Sequence, residues 1–244
     1  MHPYLPFIFA GLIFFIAHFV AGVTGFGSGI LGLPLLAMIV GLDAGKQSLL
    51  ILSTLLYIYM VARWHAHIDV RRLIIMAVVA SIGIPFGLFL YGHLQRHVAL
   101  ITLGAFVALV GFRNLLQLWP DQKLPRCLAS ILLVVGGIFH GAFTTGGPIL
   151  IIYADQTLRH KSTFRATLCL LWISLNAILA IVWTMQHAWL RQTWHLSLLG
   201  LPFMIAGLII GERIHHAIDE RTFRRAVNIA LIVIGVLLIV HPAG

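Results

Sequence analysis

The sequence predicts an all-α polytopic membrane protein made of two inverted repeats, each a glycine-broken helical V followed by three transmembrane helices. Three observations lead there: long apolar runs, a glycine pattern that recurs 119 residues downstream, and an uneven distribution of Lys and Arg. Of the 244 residues, 60% are hydrophobic and 9% are charged, and the mean hydropathy is +1.01. A soluble domain carries about a quarter charged residues, so this composition excludes one. Repeated apolar runs of about 18 residues or more read as membrane spans.

The N-terminus enters its first apolar run with no Lys or Arg before it and no small-residue cleavage site after it. The run is therefore expected to stay as a membrane helix rather than leave as a signal peptide. It extends from about Leu5 to Val23. The stretch Ala21–Pro34 then sets five glycines, Pro34, Thr24 and Ser28 into apolar sequence. Glycine disfavours a helix interior and admits positive φ, so a helix break is expected here. Backbone freed inside a bilayer must be buried in protein or line a cavity. A short apolar piece, Ile30–Leu42, follows. Further spans are expected at about Ser48–Met60 (beginning near Lys46), Leu73–Tyr91 and Val98–Leu118.

A polar connector, residues 119–126, separates the first repeat (1–118) from the second (127–244). The second repeat runs Cys127–Ala142, a break at Gly141–Pro148, Ile149–Ala154, Phe164–Met185, Leu196–Gly211 and Phe223–Val240. The repeats align by residue. At an offset of 119, Gly22 meets Gly141, Gly27 meets Gly146, Lys46 meets Arg165 and Tyr57 meets Asn176. Later the offset becomes 124 and pairs Gly83 with Gly207, Gly87 with Gly211 and Gly111 with Gly235. In these unbroken spans the glycines are expected to let helices pack closely.

Charge placement decides how the copies sit. If each broken segment crossed the membrane once, the 16 Lys and Arg would divide seven against nine. If each is instead a V that enters and leaves on one face, only Lys46, Arg96 and Arg191 oppose the other thirteen. The second arrangement obeys the positive-inside rule. Each copy then holds an odd number of full crossings, so the copies are inverted and both termini face away from the cytoplasm. Discontinuous helices in inverted repeats are a transporter architecture, with the substrate at mid-membrane between the breaks.

The breaks carry the chemistry. A helix restarting after Gly27-Ser28-Gly29, and another after Gly146-Gly147 with Pro148 in its first turn, would present free N–H groups and partial positive charge. Glycine lets an anion approach that backbone closely. Thr24, Gly25, Gly27, Ser28, Gly29, Thr144, Thr145, Gly146 and Gly147 are the candidate binding residues, joined by His140, Tyr57 and Asn176. The alternative is that the glycines serve packing alone. His18 and His140 lie beside the breaks, and an ionisable group at membrane depth is a functional candidate. His140 could share a proton with a weak acid, or be a neutral ring bonded to a carbonyl. Lys46 and Arg165 could guide anions to the two mouths, although the positive-inside rule accounts for Arg165 equally well.

Other classes find less support. The net charge of +9 arises from short basic loops, with no basic block interleaved with aromatics, so nucleic acid is not an expected partner. Cys127 and Cys169 are expected to be buried thiols rather than a disulfide. His93 and His97 form the only HxxxH pair and no HxxHH occurs, too few ligands for a membrane di-iron centre. The remaining histidines, His215 and His216 among them, fall in loops or at interfaces. Trp64, Trp119, Trp189 and Trp194 sit at span ends like an interfacial belt. No metal, cofactor or ATP-binding motif is expected.

The paired motifs Gly22-Val-Thr-Gly-Phe-Gly-Ser-Gly29 and Gly141-Ala-Phe-Thr-Thr-Gly-Gly-Pro148 resemble those of the TauE/SafE family, the sulfite exporter and toluene-sulfonate uptake permeases. The resemblance covers essentially the whole chain in length, duplication and motif position. It implies a secondary transporter of sulfite, a sulfonate or another small organic anion in a bacterial inner membrane, not an enzyme. The family's motifs are usually richer in consecutive glycine than Gly27-Ser28-Gly29 or Thr145-Gly146-Gly147. The expected partners are a small anionic substrate and the lipid bilayer, with a homodimer as the candidate assembly. Transport of a neutral or cationic solute, or a non-transporting membrane enzyme or assembly factor, are the alternatives.

Overall fold

The structure, a computed structural model, describes residues 5–116, 125–158, 160–214 and 219–242. Trp119, Lys123, Arg159, His215, His216 and the connector up to residue 124 lie outside the described residues. The described chain is helical throughout: α1 (Leu5–Thr24), α2 (Ser28–Ile39), α3 (Leu42–Trp64), α4 (Val70–His93), α5 (Arg96–Leu115), α6 (Arg126–Phe143), α7 (Gly147–Thr157), α8 (Lys161–Met185), α9 (Arg191–Ile214) and α10 (Glu220–Val240). Among the described residues, α1, α3, α4, α5, α8, α9 and α10 are long and apolar enough to cross a membrane; α2 and α6 are shorter apolar helices.

Local sequence explains most boundaries. Asp69 caps α4 by accepting from Arg72 N at 2.9 Å, and Asp219 caps α10 by accepting from Thr222 N at 2.9 Å. Asp43 in the first turn and Arg63 in the last complement the dipole of α3. That helix is longer at both ends than its apolar run, because polar termini continue the helix beyond the hydrocarbon-like stretch. Trp64 is its last residue, and Trp189 lies in the loop between α8 and α9.

Both breaks fall where the glycine clusters lie, between Thr24 and Ser28 and between Phe143 and Gly147. Each broken pair folds back on itself. A Cβ added to Gly32 of α2 would lie 3.1 Å from Ala17 Cβ of α1, and one on Gly136 of α6 would lie 2.7 Å from Leu150 Cδ2 of α7.

Glycine also sets the longest contacts. Gly207 and Gly211 press the backbone of α9 onto the Phe15 and Phe19 carbonyls, so α1 and α9 run parallel. Gly83 and Gly87 press α4 onto the Val134 and Ile138 carbonyls, so α4 and α6 run parallel. A Cβ on Gly104 would sit 2.7 Å from Gly235 O, and one on Gly111 2.7 Å from Asn228 O, so α5 and α10 run antiparallel. The close-packing expectation for the paired glycines thus holds. Exchanging the first five helices for the last five turns the α1–α9 pair into α6–α4 and returns α3–α8 and α5–α10 to themselves.

The outside of the bundle is apolar. Val70, Ile74, Val78, Ile82, Phe86 and Leu90 form an exposed stripe along α4, which suits lipid and not water. One cysteine departs from expectation: Cys169 is buried, but Cys127 is exposed near the start of α6. Cysteine's usual burial gives no help where the exterior solvent is itself apolar.

Candidate functional site

The two breaks meet. A Cβ on Gly29, in the first turn of α2, would lie 3.1 Å from Thr144 O and 3.6 Å from Thr145 Cγ2 of the other break. The starts of α2 and α7 face one cavity of about 1810 Å³. Thr24, Gly27, Ser28, Gly29, Tyr57, His140, Thr144, Thr145, Gly147, Arg165 and Asn176 all line it. Gly25, Gly146, Lys46 and His18 do not line it.

At the first break, Gly25 (φ +84°) and Gly27 (φ +101°) take backbone conformations that L side chains resist. Thr24 Oγ1 donates to Val20 O at 2.8 Å and closes the end of α1. The first turn of α2 has no side-chain cap, so its N–H groups lack an intrahelical acceptor. Ser28 Oγ lies 2.9 Å from Ser53 Oγ and 3.3 Å from Tyr57 OH, a hydroxyl trio within the first half of the chain.

The second break is built differently. Thr144 carries the left-handed turn (φ +56°), its hydroxyl bonded to Phe143 O at 2.6 Å. Gly146 fits because a Cβ there would strike the Gly136 carbonyl oxygen and lie 2.9 Å from His140 Cβ. Pro148 falls in the first turn of α7 and has no N–H, so this start presents fewer donors than that of α2. Polar side chains surround it instead. His140 is 3% exposed, with its ring centroid 6.2 Å from that of Trp172 in a near-parallel stack. His140 Nε2, Thr145 Oγ1 and Trp172 Nε1 are buried without a hydrogen-bond partner. Asn176 Nδ2 donates to Thr54 Oγ1 at 2.8 Å and so ties α8 to α3 across the halves.

The cavity opens at one end of the bundle. Its outer wall is formed by Trp64 at the end of α3, Arg113 at the end of α5, Lys161 at the start of α8 and Arg221 at the start of α10. Arg165 belongs to this wall. Its Nη2 donates to Gly22 O at 2.8 Å and lies 3.7 Å from Glu212 Oε1. The opposite end is shut. There Lys46, 4% exposed, pairs with Asp43 Oδ1 at 2.9 Å and lies 3.3 Å from the centroid of the Tyr91 ring. Tyr91 OH donates to the same Asp43 oxygen at 2.7 Å. Gln47 fastens the α8–α9 loop beside it, bonding Ala188 O, Leu190 N and Thr193 Oγ1 at 2.6–3.1 Å. The equivalent positions Lys46 and Arg165 thus occupy a closed end and an open one.

His18 is wholly buried and its Nδ1 lies 2.7 Å from Phe14 O, one turn back on its own helix. Trp172 was not among the residues singled out from sequence. The signal for it was present, since the 119 offset places it opposite Ser53, one turn before the Tyr57–Asn176 pair.

Residues 10–238 match the family profile described as sulfite exporter TauE/SafE. Among curated proteins, the chain is 28% identical over 166 residues to a probable inner membrane transporter protein, TsaS, of Comamonas testosteroni, covering 66% of this chain and 68% of the relative. No solved structure matches.

Proposed function

The chain belongs to the sulfite exporter TauE/SafE family and is a multi-pass inner-membrane transporter, and from that premise we propose that it is a secondary transporter of a small anion, sulfite, a sulfonate or another organic anion, held near mid-membrane between the starts of α2 and α7. The carrying observation is the meeting of two uncapped helix starts in one cavity, with the backbone of Gly29 against Thr144. Free N–H groups and the positive ends of two helix dipoles suit an anion. Gly27, Ser28, Gly29, Thr145 and Gly147 contact it directly in this reading. Thr24, Gly25, Thr144 and Gly146 shape the two turns, and His140, Tyr57 and Asn176 wall the site. Arg165 lies on the anion's route and Lys46 at the shut mouth.

The inverted-repeat arrangement is part of the proposal. It is supported by the two fold-back pairs and by the directions of α5 and α10, which run antiparallel. Single crossings at both breaks would make those two helices parallel. With the thirteen-residue basic side in the cytoplasm, the cavity opens inward and the Lys46 end faces out. Coupling is to protons or to the membrane potential.

The purified protein in proteoliposomes is expected to carry sulfite or sulfoacetate and not ammonium, with the Gly27→Leu variant, whose position has room for a side chain, inserted but inactive. Ammonium flux without anion flux, or normal anion flux in that variant, sinks the reading. Tags at both termini should be reached from outside the cell. A cytoplasmic N-terminus removes the inverted repeats.

A further inference from the structure

Donor groups are distributed unequally between the two helix starts. Around α2 the Ser28, Ser53 and Tyr57 hydroxyls satisfy one another. Around α7, Thr145 Oγ1 and Trp172 Nε1 are left without partners, although the residues are only 2% and 4% exposed. Buried polar groups in native proteins are almost always bonded, so each orphan asks for a partner. An indole N–H is a donor only, and nothing but an acceptor can complete it. Both residues line the cavity. A Cβ on Gly147 would lie 3.6 Å from Trp172 Cη2, so the indole rests on the first residue of α7 with no side chain between.

We propose that Trp172 Nε1, Thr145 Oγ1 and the first turn of α7 form the subsite for the oxyanion head of the transported solute, and that Trp172 determines selectivity for that head over a neutral group of the same size. This rests on the anion reading above. The head's oxygens accept from the indole and the hydroxyl, while the α7 dipole bears on its charge. His140 Nε2, also unpartnered, borders the same space. The scaffold is duplicated but the recognition is not. In the first half, Ser53 stands where Trp172 stands in the second, and its hydroxyl is already engaged.

The test compares ethanesulfonate, propionate and neutral propionamide as solutes for the full-length protein in proteoliposomes. Wild type should prefer both anions over propionamide. Trp172→Phe keeps the ring and removes the N–H; it should raise the anion KM by roughly tenfold or more, as expected for a lost bond to a charged acceptor, and affect the weak propionamide flux several-fold less, because the amide oxygen is a neutral acceptor. A structural role would lower all fluxes together. Thr145→Val, isosteric and without the hydroxyl, should shift the same KM in the same direction and serves if the indole variant does not fold. Ethanesulfonate should change the tryptophan fluorescence of wild type and of Trp194→Phe, but not of Trp172→Phe. Wild-type KM and selectivity in both site variants overturn the subsite while the anion reading stands. Failure of the wild type to carry any anion overturns that reading, and the subsite with it.

Discussion

At the first break the backbone turns left-handed at Gly25 and Gly27, whereas at the second Thr144 makes that turn and Gly146 keeps a helical φ of −63°. The space around the matching glycines differs as much. A Cβ on Gly27 would have Val20 Cγ1 at 3.8 Å as its nearest neighbour, while one on Gly146 would run into the Gly136 carbonyl. Gly27 is needed for its conformation and Gly146 for its lack of volume. Two glycines can therefore occupy matching places, 119 residues apart in the sequence, and answer to different constraints. The second break can also use a β-branched residue in the left-handed region, which is a genuine outlier, because its neighbours hold it there.

Substitutions separate the two constraints. The largest loss is expected for Gly146→Ala, at or beyond the about 3 kcal/mol at the upper end of overpacking, because the obstacle is backbone that cannot rotate away. It should appear as a collapse of the monodisperse folded fraction in detergent. Gly27→Ala should cost less, about 1–2 kcal/mol, the price of a left-handed L residue. Asparagine tolerates that region, so Gly27→Asn should recover part of the loss, whereas Gly146→Asn should be worse than Gly146→Ala. Equal losses at both sites with no recovery by asparagine would falsify the distinction. Thr144→Gly should raise stability by no more than about 1 kcal/mol, because relief of the left-handed turn, about 1–2 kcal/mol, is offset by about 0.4–1 kcal/mol from glycine's freedom in the unfolded chain and by the lost bond to Phe143 O. The smallest contrast concerns hydroxyls. Ser53→Ala should cost about 0.5–1.5 kcal/mol through its bond to Ser28, while Thr145→Val should leave the thermal midpoint unchanged, its hydroxyl having no partner in the protein.

Much of the scaffold was legible in the sequence because glycine and charge act locally. The breaks fall within the predicted clusters, and the 124-offset pairs Gly83–Gly207 and Gly87–Gly211 are among the closest points of the α4–α6 and α9–α1 contacts. The side-chain partnerships were not legible. Arg165 bonds Gly22 O, 143 positions away, and approaches Glu212. Lys46 sits beneath Tyr91, which is drawn from another helix. Such pairings depend on which helix faces meet, and no hydrophobic period specifies that in an all-apolar helix. Trp172 is hidden in the sequence for a related reason. An aromatic residue in an apolar run reads as packing until its N–H is seen to lack a partner.

The contact between Gly29 and Thr144 is the point inside the cavity where the halves meet, between the longer seams of α1 with α9, α4 with α6 and α5 with α10. Almost nothing but backbone separates the halves there, and the Asn176–Thr54 bond also joins one half to the other. In the proposed reading, a solute held between the two helix starts would be a shim in the joint as well as cargo. Any tilt of one half against the other changes the gap it fills, so the solute's affinity and the tilt are reciprocally linked. Whichever tilt grips the solute more tightly is the tilt that the solute in turn makes more populated.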